Sequence, residues 1–177
     1  MMKSHLYSIP LTGLKDGGHL YEFEVDDDLF TKFEESEIRK GSLKAVASLV
    51  KRSTHMELKL DITGSVELIC DRCLEPYLQK VDTTGKLVIK YGEQWEEVDD
   101  EVLMIPYGES ILDLTQLIYE FSHLGLPIQK VHGEDKDDNS ECDPEMLRRI
   151  AGARSKRLDS IDPRWEGLGD IKSDKLN

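Results

Sequence analysis

Between residues 43 and 91, hydrophobic and polar side chains alternate, and this period of two constrains the fold more than any other feature of the sequence. In an extended chain such alternation gives a strand one apolar face and one polar face. It predicts an antiparallel β-meander with one buried face, forming either an open sheet or a partly closed barrel. The alternating apolar residues are Leu43, Ala45, Ala47, Leu49, Met56, Leu58, Leu60, Ile62, Val66, Leu68, Cys70, Leu87, Ile89 and Tyr91.

The strand region ends in an acidic run over residues 93–101, which we expect to be a solvated loop. Apolar residues at helical spacing then predict a long helix near residues 113–125. Asp113 suits the start of this helix, and Gly125 with Pro127 ends it.

Two shorter helices are predicted in the C-terminal part, where Asp143 and Asp162 each precede a proline in the manner of a helix start. The first should run through Ile150. Together with the meander, these helices predict the α+β class. We expect a single globular α+β domain over residues 1–151, followed over residues 152–177 by a mobile basic linker and a C-terminal Asp-Pro-Arg-Trp helix or tail.

Charge is distributed unevenly along the chain. The formal net charge of −13 disfavours attraction of the whole surface to nucleic acid. Residues 1–146 hold 15 Lys and Arg against 31 Asp and Glu, whereas residues 147–177 hold 8 against 5. Any contact with phosphate should therefore involve the C-terminal segment.

Hydrophobic stretches are short throughout the sequence. None approaches the roughly 18–20 consecutive apolar residues that a bilayer requires, and the start lacks the apolar run of a signal peptide. We therefore expect a cytoplasmic protein that has no membrane partner.

The pair Cys70-Asp71-Arg72-Cys73 stands at the end of a predicted strand, and two thiolates at this spacing can hold one metal ion. A structural zinc site needs four ligands, and His132 and Cys142, which flank an acidic loop, could supply the other two. The result would be a Cys3His zinc site in a reducing compartment. Two alternatives stay open. Cys70 could face the core while the other cysteines are incidental, or the pair could be redox-active, which its position at a strand end disfavours.

A basic cluster near the C-terminus is either a solvated helix end, whose cations complement the helix dipole, or a strip that contacts phosphate. Arg164 and Trp165 favour phosphate contact, because a guanidinium and an indole can stack on unpaired bases. Trp165 could equally anchor the tail to the core. The cluster consists of Arg148, Arg149, Arg154, Lys156 and Arg157.

Two motifs together resemble the YceD family of bacteria and plastids. They are Cys70-Asp71-Arg72-Cys73-Leu74-Glu75-Pro76, after the meander, and Asp162-Pro163-Arg164-Trp165-x-x-Leu168 near the C-terminus, in the family's order. The resemblance implies a role in accumulation or processing of the large ribosomal RNA without enzymatic activity, and in some members metal binding. Many relatives have further cysteines in the intervening loop, where this chain has His132 and Cys142.

We accordingly predict a non-enzymatic ribosome-biogenesis factor that binds precursor large-subunit ribosomal RNA, or a ribosomal or assembly protein, and takes no small-molecule substrate. The sequence contains no glycine-rich phosphate loop, dinucleotide fingerprint or nucleophile elbow. One alternative is a zinc- or thiol-dependent enzyme that uses Cys70, Cys73, His132 and Cys142. The other is an acidic adaptor for a basic ribosomal protein.

Overall fold

The computed structural model describes residues 6–99, 101–133 and 141–158, the last range with side chains to residue 153. Strands predominate in this part of the chain, and the helices are few. The strands are β1 (Ser8–Pro10), β2 (Gly17–Val25), β3 (Lys40–Lys51), β4 (His55–Ile69), β5 (Pro76–Gly92), β6 (Glu96–Asp99), β7 (Val102–Pro106) and β8 (Ile111–Asp113). The helices are α1 (Asp27–Phe30), α2 (Thr115–Leu124) and α3 (Pro144–Leu158).

Six strands form an open, mixed sheet in the order β2-β3-β4-β5-β7-β6, and β1 pairs with β8 in a separate two-stranded sheet. Antiparallel pairing joins β2 to β3, β3 to β4 and β4 to β5. The longest ladder runs from the pair Ile69 and Pro76 to the pair His55 and Lys90. The chain then passes through the edge strand β6 and returns as β7, which lies between β6 and β5 and runs parallel to β5.

The parallel pairing of β5 with β7 shows that the prediction of a purely antiparallel meander is wrong. The expectation of a solvated loop over residues 93–101 is also wrong, because β6 lies within it. All four side chains of β6 are exposed, and backbone hydrogen bonds to β7 hold the strand in place. With both faces in solvent, this acidic strand has no hydrophobic alternation by which to recognise it.

The helices differ in length from those predicted. The expected long helix near residues 113–125 is the ten-residue α2, which begins at Thr115; the Thr115 N–H donates a hydrogen bond to the Asp113 carboxylate at 2.9 Å. By contrast α3, which was expected to run through Ile150, continues to Leu158. Its lysine, arginine and alanine residues favour a helix although it has little apolar character. No helix in the described ranges is both long and apolar enough to cross a membrane.

The buried face predicted from alternation is confirmed. Apolar side chains on one face of β3, β4 and β5 form the core, with Leu29 and Phe30 of α1 and Ile118 of α2 buried against them. The Phe121 ring of α2 lies over Gly85 of β5, where a Cβ would be only 2.2 Å from the ring. The lack of a side chain at Gly85 therefore allows α2 to pack directly on the sheet.

The chain divides into two compact units. The first comprises Met1–Ile69 with Pro76–Lys130, and the second comprises Cys70–Glu75 with Val131–Asn177. Every residue of the hydrophobic core belongs to the first unit. Among the described residues of the second unit, the buried side chains are those of its cysteines. The division expected near residue 151 stays a prediction.

We expect the substitution Gly64→Ala to lower the free energy of unfolding by about 1–3 kcal/mol, because strained backbone costs that much. Gly64 has a φ of +147°, and a Cβ there would lie 2.3 Å from the backbone oxygen of Ser42. Urea denaturation measures the change. The matched control is Gly18→Ala in β2, where a Cβ meets nothing within 4 Å, and it should alter stability by less than about 0.5 kcal/mol. Equal effects of the two substitutions would contradict this account.

Candidate metal centre

The connection between β4 and β5 is a tight turn that directs two cysteines inward. The Cys70 N–H donates a hydrogen bond to the Glu75 oxygen at 3.0 Å, and the Leu74 N–H donates to the Cys70 oxygen at 2.9 Å. The Arg72 N–H donates to Cys70 Sγ at 3.4 Å. As a result the side chains of Cys70 and Cys73 are buried, while their neighbours in the turn are exposed.

Leu74 occupies the left-handed backbone region, with a φ of 65°, and no other non-glycine residue in the described ranges has a positive φ. This conformation costs an L-residue about 1–2 kcal/mol. Burial of the leucine does not offset the cost, because its side chain is 66% exposed. We attribute the strained backbone of Leu74 to the geometry of the turn, in which Cys70 and Cys73 lie on the same side.

The other two donors are brought together by a backbone hydrogen bond. The Glu141 N–H donates to the Gly133 oxygen at 3.1 Å. This bond links the two ends of a loop whose residues 134–140 lie outside the described ranges. His132 and Cys142, which adjoin the bonded pair, consequently lie close to each other.

Cys142 is also fixed by the start of α3. The adjacent Asp143 accepts hydrogen bonds through its backbone oxygen from the Leu147 N–H at 3.1 Å and through its carboxylate from the Glu145 N–H at 3.0 Å. Asp143 therefore caps α3, as the sequence predicted. The cap places Cys142 directly before the first turn of a regular helix.

All four donors meet in one cluster, in which the ligand atoms lie within 4.8 Å of one another. Cys70 Sγ is 3.7 Å from Cys142 Sγ. His132 Nδ1 is 3.3 Å from Cys73 Sγ and 3.7 Å from Cys142 Sγ. Zinc–ligand bonds of about 2.3 Å to sulfur and about 2.0–2.1 Å to nitrogen in a tetrahedron separate two sulfurs by about 3.8 Å and a sulfur from a nitrogen by about 3.5–3.6 Å. The cluster thus has the size and the donor set that a tetrahedral zinc ion needs.

The chemistry of the cysteines also suits a metal. None of the three is in a disulfide bond, and the 3.7 Å between Cys70 Sγ and Cys142 Sγ is well beyond a sulfur–sulfur bond. Burial raises the pKa of the Cys70 thiol, but the backbone N–H groups of Cys73, Arg72 and His132, together with the His132 ring, outweigh burial and lower that pKa to about 6. The lowered pKa favours the thiolate of Cys70, which is the form that binds metals.

A family model described as large ribosomal RNA subunit accumulation protein YceD matches residues 58–172 of the chain. The chain belongs to the YceD family. The match confirms the resemblance drawn from the two motifs, and it includes all four donors of the cluster. The YceD name implies a role in accumulation of the large-subunit ribosomal RNA. Comparison with curated proteins and with solved structures gave no match.

The basic residues predicted to bind nucleic acid are described only in part in this YceD protein. Arg148 and Arg149 are exposed on α3, and Arg149 forms an ion pair with Glu145 one turn earlier. The other side chains lie outside the described part of the chain, and their role stays a prediction. They are Arg154, Lys156, Arg157, Arg164 and Trp165.

Two contributors to the site were missed by sequence reasoning. Leu74 supplies the strained backbone of the first turn, and the bond between Glu141 and Gly133 closes the second loop. Both act through backbone atoms. Side-chain chemistry therefore gave no signal for either of them.

We expect the protein, purified without added metal, to contain about one zinc ion per chain, because the cluster offers one set of four ligands. The substitutions Cys142→Ser and His132→Ala should each reduce the bound zinc to near zero in elemental analysis. His19→Ala is the matched control, since its ring bonds the Lys15 oxygen in the first unit, and it should retain the zinc. Retention of zinc by Cys142→Ser would contradict the assignment of the ligands.

Proposed function

We propose that this protein is a non-enzymatic factor that acts in the cytoplasm in accumulation of large-subunit ribosomal RNA. In this proposal a structural zinc ion orders the second unit, and α3 presents basic side chains to precursor RNA. The four-donor cluster directly before α3 is the observation that carries the proposal. Bound zinc would act as a cross-link between the turn of Cys70 and Cys73 and the loop of His132 and Cys142.

The need for such a cross-link follows from how little apolar surface is buried by the described residues of the second unit. In its described residues the cysteine side chains are buried, and on α3 Met146 and Leu147 are half-buried. A unit this small gains little from hydrophobic burial, whereas binding of a structural zinc ion supplies folding free energy directly. Metal binding is therefore the interaction that we expect to keep α3 folded.

The exposure of α3 supports a role in contact with RNA. Arg148 and Arg149 face solvent, in the segment of the chain where cations outnumber carboxylates. The pair of Arg149 with Glu145 is an exposed one, between side chains that are 69% and 68% accessible. Such pairs contribute only about 0.3–0.5 kcal/mol. A phosphate group can therefore displace Glu145 from Arg149 at little cost.

A structural role for the cluster is favoured over catalysis by the number and burial of its donors. A catalytic zinc ion keeps one position open for water or substrate, whereas four protein ligands occupy all positions of a tetrahedron. A thiol-dependent reaction would need an accessible sulfur. The cysteines are 0%, 4% and 3% exposed for Cys70, Cys73 and Cys142.

We expect the double substitution Arg148→Glu/Arg149→Glu to weaken binding to a precursor large-subunit RNA transcript. Each lost phosphate contact should reduce the slope of log K against log salt concentration by about 1, so the pair should reduce it by about 2. Filter binding or fluorescence anisotropy over a salt series measures the slope. Arg39→Glu/Lys90→Glu makes the same change in charge at exposed positions of the first unit and should leave the slope nearly unchanged. Equal slopes for both double variants would contradict direct contact through α3.

In cells that lack their own copy of the gene, we expect the wild-type protein to restore the ratio of large- to small-subunit ribosomal RNA. Cys142→Ser should fail to restore it, because α3 loses its support, and His19→Ala should restore it fully. Quantitative RNA electrophoresis gives the ratio, and immunoblotting shows whether each variant accumulates. Full restoration by Cys142→Ser protein that binds no zinc would separate the function from the metal centre and contradict the proposal.

A further inference from the structure

A broad cleft of about 1070 Å³ lies in the first unit between α2 and the β7–β6 edge of the sheet. Its floor includes Leu87 of β5, Leu103 of β7 and Phe121 of α2. It forms because α2 packs on β4 and β5, whereas β7 and β6 continue the sheet beyond the helix. The described residues that line the cleft all belong to the first unit.

The borders of the cleft expose apolar side chains on both sides. Leu124, at the end of α2, is 75% exposed, and Val98 of β6 is 56% exposed. Leu87 and Leu103 of the floor are each only 8% exposed, so the accessible apolar surface is mainly that of the two borders. Exposed apolar side chains on both sides of a cleft favour a role in binding a partner. Walls this open do not enclose a small molecule, which would need most of its surface buried.

Carboxylates line the same cleft from opposite sides. Glu120 belongs to α2, while Glu97 and Asp99 belong to β6. Lysine and arginine do not occur among the described residues that line it. The local field therefore attracts cations and repels the phosphates of nucleic acid.

We infer that this cleft binds a short amphipathic segment of a basic protein. Apolar side chains of the segment enter the floor, and its lysine or arginine side chains meet the carboxylates of Glu97 and Glu120. This arrangement is the helix-in-groove mode of recognition, with charge complementarity at the rim. Addition of the segment as a further strand on β6 is disfavoured, because the register of β6 shifts between Glu97 and Asp99 and interrupts a regular edge.

The test uses the full chain and two synthetic peptides that place leucines on one helical face. One peptide carries lysines on the other face, and its matched partner carries glutamates. Fluorescence anisotropy should show saturable binding of the lysine peptide, at least about tenfold tighter than that of the glutamate peptide. Equal binding of both peptides would overturn the inference.

Variants locate the binding within the molecule. Glu97→Lys/Glu120→Lys should weaken binding of the lysine peptide by about tenfold or more. The control Glu34→Lys/Glu35→Lys, at exposed positions that do not line the cleft, changes net charge equally and should have little effect. Equal losses in both double variants would reduce the interaction to diffuse attraction and overturn the assignment of the site.

Leu124→Glu separates the apolar contact from charge. The substitution replaces an exposed side chain and adds a carboxylate. Charge attraction alone therefore predicts tighter binding of the lysine peptide, whereas loss of the apolar border predicts binding weaker by about tenfold. Unchanged or tighter binding would overturn the inference. Self-association that depends on concentration and is abolished by Leu124→Glu would also overturn it, because a second copy of the chain would then be the occupant. So would direct binding of a single-stranded RNA oligonucleotide to the protein, without peptide, that Glu97→Lys/Glu120→Lys leaves unchanged and Leu124→Glu abolishes.

Discussion

The pairing of β4 with β5 is the constraint on which the rest of the sheet depends. The two strands keep one antiparallel register from Ile69 and Pro76 to His55 and Lys90. One face of the pair carries core side chains, so a slip by one residue would turn that face towards solvent. The flanking strands β3 and β7 add to the outer edges of the pair. The connection between the two strands is Cys70–Glu75, which contains two of the three sulfur donors of the cluster.

The two proposed interaction surfaces carry charges of opposite sign. The cleft of the first unit is lined by Glu97, Asp99 and Glu120, and α3 of the second unit carries Arg148 and Arg149 in solvent. We therefore expect the cleft to attract a polycation and repel a polyanion, and α3 to do the reverse. The large negative total charge is compatible with the proposed contact with RNA only if that contact is confined to a small part of the sequence.

The sequence predicted the features that depend on local periodicity and side-chain chemistry. Alternation identified β3, β4 and β5, and the number and type of donors identified the four members of the cluster. Backbone contacts between distant segments were not predictable in this way. The exposed strand β6 has no apolar face that a pattern could reveal. The parallel pairing of β7 with β5 depends on the path that the chain takes after β6. His132 lies near Cys142 because of a hydrogen bond between the main chains of Gly133 and Glu141.

The four donors of the proposed metal centre are widely separated along the chain, and this separation affects when a metal can bind during synthesis. Cys70 and Cys142 are 72 residues apart, and Pro76–Lys130 of the first unit lies between the two parts of the second. A metal bound by both would close a loop of this length in the folded protein only, so it would stabilise the fold through its binding free energy and not by restricting the unfolded chain. During translation the first two sulfurs emerge well before the other donors. If the proposed metal is bound by all four donors, its coordination shell can be completed only after synthesis has passed residue 142, late in the maturation of the protein.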